Sequence, residues 1–169
     1  KSAPGQGSAF TVDLDLPMQE GELPVAPVAE AVTLDETSFA GRRFLLAEDN
    51  AINQEIAVEL LTAYGAKVET RNDGKQALLA FTASAEGYYD AVLMDIQMPV
   101  MNGYEAARRI RTCGHPQAQS IPIIAMTANA FDEDIEKSRA AGMDAHLAKP
   151  IDPGRMYQTL YDFIDMASE

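Results

Sequence analysis

Cysteine is nearly missing from this chain: Cys113 is the single one among 169 residues. No disulfide can close within the chain, and nothing signals a secreted disulfide scaffold. Cys113 reads as a small residue near a helix end. Bases are scarce as well. Thirteen Lys and Arg face 26 Asp and Glu, a formal net charge of −13. That excess argues against non-specific binding to nucleic acid or to an anionic membrane. It suits a basic partner or a cation. No apolar run approaches the length of a membrane span, and no secretory leader is visible. A cytoplasmic setting without membrane contact is the expectation. The chain begins at a lysine and is expected to be a fragment of a longer protein.

The charge is unevenly spread. Residues 1–40 hold seven acids and one base, Lys1. Pro17, Pro24 and Pro27 stand there among Ala, Val, Glu and Gly without helical periodicity. Residues 17–40 read as an acidic, extended linker. Just before it, Phe10, Val12, Leu14 and Leu16 alternate with Thr11, Asp13 and Asp15. That period of two predicts a half-buried strand, which needs a sheet from elsewhere.

From Arg42 onward the pattern is regular. Phe44–Ala47 is an apolar strand ending in Glu48-Asp49-Asn50. Asn50 is placed to cap a helix, with Ile52, Ile56, Leu60 and Tyr64 as an apolar stripe that Gly65 ends. Residues 66–70 form a short strand. Asn72-Asp73-Gly74 opens a helix carrying Ala77, Leu78 and Phe81, closed by Gly87. Ala91–Met94 is a buried strand delivering Asp95 to a loop with Pro99 and Gly103. A helix over 103–112 turns Tyr104, Ala107 and Ile110 inward and Arg108, Arg109 and Arg111 outward. Residues 121–126 are a strand ending at Thr127. A helix over about 130–141 has Phe131 and Ile135 on its inner side. Residues 144–148 form the last strand, ending at Lys149-Pro150. Asp152-Pro153 opens the final helix, with Met156, Leu160, Phe163 and Ile164 apolar. Five apolar strands alternating with five helices predict an α/β fold, a doubly wound five-stranded parallel sheet covered on both faces.

Ligands of open α/β sheets bind outside the carboxyl ends of the strands. There the strands deliver Glu48 and Asp49, Asp95, Thr127 and Lys149. Three carboxylates in one place repel and call for a cation. Oxygen ligands without His or Cys favour a hard divalent ion such as Mg²⁺. A carboxylate can also become an acyl phosphate, with a cation, a lysine and a hydroxyl bonding the phosphoryl oxygens. Each residue has a plainer reading too. Asp49 and Thr127 are good capping residues, and Lys149 suits a solvated surface.

Taken together, Glu48-Asp49, Asp95 with Pro99 and Gly103, Thr127-Ala128 and Lys149-Pro150 resemble the signature of the response-regulator receiver domain. The resemblance covers about residues 42–167. It implies strand order 2-1-3-4-5, and Asp95 as the acceptor of phosphate from a phosphohistidine. Glu48, Asp49, Asp95 and the backbone carbonyl of Gln97 would hold Mg²⁺ (or Mn²⁺). Thr127, Ala128 and Lys149 would bind the phosphoryl group, and the Lys149–Pro150 bond would be cis. Gln97 and Asn129 occupy the positions that tune the lifetime of the phosphoryl bond. Two positions depart from the commonest pattern. His146 stands where the family has a switch Tyr or Phe, either as a pH-sensitive ring or merely filling the slot. Glu48 replaces the usual Asp and is expected to reach the metal through water.

Residues 4–17 resemble the last glycine turn and closing strand of a histidine-kinase ATP-binding domain. Residues 1–16 would then be its remnant and 41–169 the receiver of a hybrid sensor histidine kinase. ATP binding is not expected, because the rest of that pocket is missing. Neither His115 nor His146 sits in a helical phosphohistidine motif. The partners implied are therefore a phosphohistidine donor on a kinase dimerisation domain and a histidine phosphotransfer domain. The surface of the first helix, with Ile52 and Ile56, would dock them. An aspartyl-phosphate phosphatase or phosphotransferase is the alternative, but Gln97 stands where such enzymes have a second carboxylate. A flavodoxin-like cofactor site fits less well, since Glu48-Asp49 would repel a phosphate.

Overall fold

The structure is a computed structural model and describes residues 2–3, 7–8, 37–128 and 132–165. The chain falls into two units, 1–31 and 32–169. In the first, Ser2–Ala3 pairs antiparallel with Gly7–Ser8. The strand expected over residues 8–16 and the linker up to residue 36 lie outside the described residues.

The second unit alternates strand and helix. Its strands are β1 (Arg43–Ala47), β2 (Lys67–Arg71), β3 (Ala91–Asp95), β4 (Ile123–Thr127) and β5 (Ala145–Ala148). Its helices are α1 (Ala51–Thr62), α2 (Gly74–Thr82), α3 (Gly103–Thr112), α4 (Asp132–Ala140) and α5 (Pro153–Asp165). The strands make one parallel sheet in the order β2-β1-β3-β4-β5. β3 and β4 are buried at every residue, as a strand must be when helices cover both faces.

The period of two sorts the core into two layers. Leu45, Ala47, Val92, Met94, Ile123 and Ala125 meet Ala77 and Phe81 of α2 and Ala107 and Ile110 of α3. Phe44, Leu46, Leu93, Ile124 and Met126 meet Ala57 and Leu61 of α1 and Met156 and Leu160 of α5. Helix starts are held by carboxylates and amides that replace missing backbone acceptors. Asn50 Oδ1 accepts from the N–H of Ile52 (2.9 Å), Asp73 Oδ1 from Gln76 (2.8 Å) and Asn102 Oδ1 from Glu105 (2.9 Å). Asp152 Oδ1 does the same for Arg155 (2.7 Å).

Several expectations are corrected. The α1 stripe does not bury as a unit: Ile52 is 67% and Ile56 47% exposed, while Ala57 and Leu61 carry the core contact. The reason is helix phase, because the sheet lies one residue around from the stripe. α2 ends at Thr82, and Gly87 instead serves a turn five residues on, at φ 73°. Arg111 does not point outward. Its guanidinium donates to the carbonyls of Gly142 (2.8 Å), Ala118 (3.0 Å) and Ile121 (2.7 Å) and to Asp144 Oδ2 (2.6 Å). Phe39 lies on the linker side of residue 40 but is 1% exposed, edge-on to Phe44 at 5.6 Å. Ala130 and Phe131 lie outside the described residues, and Ile135 is half-buried.

Candidate functional site

β1 and β3 are neighbours in the sheet but not in sequence. The chain leaves their ends in opposite directions, and that divergence opens a crevice at their carboxyl ends. Glu48 and Asp49 follow β1, and Asp95 ends β3. Among the described residues, oxygens of Glu48, Asp49 and Asp95 lie within 4.8 Å of one another. Glu48 and Asp95 are buried, and Asp49 is exposed. β5 brings Lys149 between the buried pair: Nζ lies 2.6 Å from Glu48 Oε2 and 2.8 Å from Asp95 Oδ2.

Burial pushes the Asp95 carboxyl above its ordinary value, and the nearby Glu48 charge adds to the push. The bonds from Lys149 and the Gln97 N–H pull it back only in part. For Lys149, burial acts to lower the ammonium. The bonds to Asp95 and Glu48 outweigh it and hold Lys149 above its usual range. Lys149 is therefore a cation, standing where a third party with negative oxygens would meet it.

Backbone geometry fixes the rest. The Ile96 N–H donates to the Met126 carbonyl (3.1 Å), and the Lys149 N–H to the Thr127 carbonyl (2.7 Å). These bonds tie the ends of β3, β4 and β5 into one rim. Gly103 lies against Asp95 so closely that a Cβ would collide with the Asp95 carbonyl. Its N–H donates to Ile96 (3.0 Å), closing the loop from Asp95 to α3. The Gln97 N–H reaches Asp95 Oδ1 at 3.2 Å. Val100, at the exposed tip of this loop, has φ 67°. The Lys149–Pro150 peptide is cis.

The remaining residues singled out from sequence are placed as follows. Thr127 is buried at the end of β4, and Ala128 beside it is exposed. His146 pairs in register with Ala125 but leaves its ring exposed. Asn129 lies outside the described residues. Two residues of α1 went unread. The Asn53 amide donates to Glu48 Oε1 (3.0 Å), and the Gln54 amide to the Glu48 carbonyl and to Asn72 Oδ1. Their signal was present: polar side chains in the first turn, on the side facing the end of β1.

The profile of the response regulator receiver domain matches residues 44–161. This chain belongs to that family. A receiver domain of a sensor histidine kinase of Pseudomonas aeruginosa is 39% identical, with TM-score 0.67, covering 75% of this chain and 99% of that one. It carries a magnesium ion coordinated in its active-site cleft. The yeast receiver domain of Ssk1, crystallised with the histidine phosphotransfer protein Ypd1, is 26% identical with TM-score 0.67. It matches 78% of this chain and 94% of that one. Hybrid signal transduction histidine kinase I of Dictyostelium discoideum is 41% identical over 131 residues. The match takes in 76% of this receiver's chain but 8% of that kinase. Against plant histidine kinases such as Histidine kinase 1 of Arabidopsis thaliana, the chain spans 13% of the relative. The fold, a five-stranded parallel sheet in 2-1-3-4-5 order with five helices, is the receiver fold. Among the described residues, no helix is long and apolar enough to cross a membrane.

Proposed function

We propose that this receiver is the phosphoacceptor of a His–Asp phosphorelay and that Asp95 takes the phosphate. One observation carries the reading: a buried carboxylate bonded by a half-buried lysine, with two further acids at its side. An Asp95 oxygen attacks the phosphorus of a phosphohistidine. The P–N bond breaks, its electron pair leaves with the imidazole, and an acyl phosphate forms. Lys149 already sits between Asp95 and Glu48, so it is preset to bond the incoming phosphoryl oxygens without reorganisation. Thr127 supplies a hydroxyl and Ala128 a backbone N–H on the same rim. His146 would report the change outward, and Gln97 and Asn129 would set how long the bond lasts.

The donor set fits a hard divalent cation. Glu48, Asp49, Asp95 and the Gln97 carbonyl offer only oxygen, as Mg²⁺ or Mn²⁺ requires. When bound, the ion neutralises phosphoryl oxygens and so lowers the repulsion between phosphate and carboxylates. A phosphatase reading has less support, because Gln97 cannot act as a general acid.

The partner reading rests on α1. Ile52 and Ile56 are exposed, and Ile56 lines a groove of ≈ 250 Å³ with Asn53, Lys149, Pro150 and Ile151. The groove touches Lys149 and is therefore beside the acceptor. A helical phosphotransfer domain laying an apolar face there would bring its histidine to Asp95. The reading extends to residues 1–16 as the end of a kinase ATP-binding domain and 17–40 as a linker, on the sequence pattern alone, and to a hybrid histidine kinase as parent, which the relatives support.

The test is chemical. Incubated with Mg²⁺ and labelled acetyl phosphate, the protein is expected to gain hydroxylamine-labile phosphate, and Asp95→Asn to gain none. Equal labelling of both proteins, or none in the wild type, overturns the reading.

A further inference from the structure

We infer that Asn53 is a positioning residue for the acidic site: its side-chain amide fixes the Glu48 carboxylate in the orientation that faces Asp95 and Lys149. The inference rests on the reading of Glu48, Asp49 and Asp95 as a divalent-cation site.

Glu48 is 1% exposed. Its Oε2 is bonded by Lys149 at 2.6 Å. Its Oε1 accepts the Asn53 amide at 3.0 Å and the Asn50 N–H at 3.3 Å. Those donors define both ends of the carboxylate. The two on Oε1 both come from the start of α1, where Asn50 already serves as the helix cap. The Gln54 amide holds the Glu48 backbone carbonyl. Consecutive residues of one helical turn therefore hold the backbone and the side chain of the same glutamate. A carboxylate oxygen has two lone pairs, so Oε1 has both engaged, while Oε2, bonded by Lys149 alone, keeps one for a cation or its water. Without Asn53, Oε1 keeps only the longer Asn50 bond, and the carboxylate, held chiefly at Oε2 by Lys149, turns more easily about its last torsion. That torsion is soft and broad. Ordering it would then fall to cation binding and would weaken it. Loss of a group that orients a metal ligand costs roughly 10-fold or more in metal affinity.

The test reads metal affinity directly, with no phosphodonor. Mg²⁺ alone is titrated calorimetrically into the metal-free full chain. Asn53→Ala is expected to bind about 10-fold more weakly. Alanine is a good helix former, so α1 is kept. In a Glu48→Ala background, Asn53→Ala is expected to have no further effect, because the group it orients is gone. Unchanged affinity in Asn53→Ala, or the same loss in both backgrounds, overturns the inference. Asp95→Asn separates the two levels. If it binds Mg²⁺ as tightly as wild type, the cation-site reading itself falls. If it weakens while Asn53→Ala does not, only the role of Asn53 falls.

Discussion

Lys149 stands between two buried carboxylates, Glu48 and Asp95, and its own side chain is 19% exposed. Removing its charge while keeping its stem leaves those carboxylates facing each other. Lys149→Met is expected to cost about 2 kcal/mol in metal-free buffer, below the usual toll for breaking a buried pair because water reaches the site. Mg²⁺ should then stabilise the variant more than the wild type, since the ion takes over an unmet counter-charge. Urea midpoints with and without Mg²⁺ check this; equal stabilisation of both proteins would count against it. A second residue sets an alkaline limit. Burial pushes the Tyr89 phenol up to about 12, and the bond it donates to Glu69 Oε2 (2.9 Å) adds to the rise. The folded value lies above the unfolded value of about 10, so the fold favours the protonated phenol. The stability this group contributes is fully present below about pH 10 and is lost as pH rises through about 12. Tyr89→Phe should therefore flatten the fall in urea midpoint between about pH 10 and pH 12. The chain has no tryptophan, so phenolate absorbance can follow the ionisation directly.

At the scale of the element, Arg111 joins pieces that the sequence separates. From the last turn of α3 it reaches the carbonyls of Ala118 and Ile121 before β4 and the Gly142–Asp144 turn before β5. Asp144 in turn accepts the Ile123 N–H at 2.7 Å. Lysine keeps the charge but cannot fork to several acceptors at once. Arg111→Lys is expected to cost about 2 kcal/mol. Hydrogen exchange at Met143 and Asp144 should speed up more than at β1 or β3, and uniform acceleration would refute a local clamp. An outward Arg111 was the natural reading, because charge suggests solvent. Nothing local shows that a guanidinium will find four acceptors from two loops. α1 teaches the same point in reverse. Its apolar spacing is plain in the sequence, yet Ile52 and Ile56 remain exposed. Periodicity locates a stripe; only the placement of the sheet says which side of the helix is covered.

For the whole molecule, one of the two core layers, that facing α1 and α5, includes a ring from before the first strand. Phe39 packs against Phe44, Tyr64 and Tyr157, and its N–H donates to the Tyr64 carbonyl at 2.9 Å. A chain shortened to begin at Gly41 is expected to fold but to lose about 3 kcal/mol, as truncation of a buried Phe would. Phe39→Ala in the full chain should lose a similar amount, with little change in the denaturant slope. An unchanged midpoint in either protein would mean that the layer closes without this ring. Composition put a boundary at residue 40 because acids and prolines thin out there. The acidic stretch and the packed turn meet without a compositional edge, so burial alone marks the join.

The sequence by itself determined the alternation of strands and helices, a parallel sheet covered on both faces and the chemistry carried to its edge; the order of the strands came only as what the family resemblance implies. The first three follow from local rules: apolar period, capping residues, and acids, hydroxyl and lysine at strand ends. The tertiary structure decided the orientation of each side chain. It set Lys149 within bonding distance of both Glu48 and Asp95 and brought the Asn53 amide onto Glu48. It turned Arg111 inward and left His146 exposed. The physical reason is that such contacts join residues far apart in the chain. Lys149 and Glu48 are separated by 101 positions, and their meeting depends on the register of a sheet rather than on either neighbourhood.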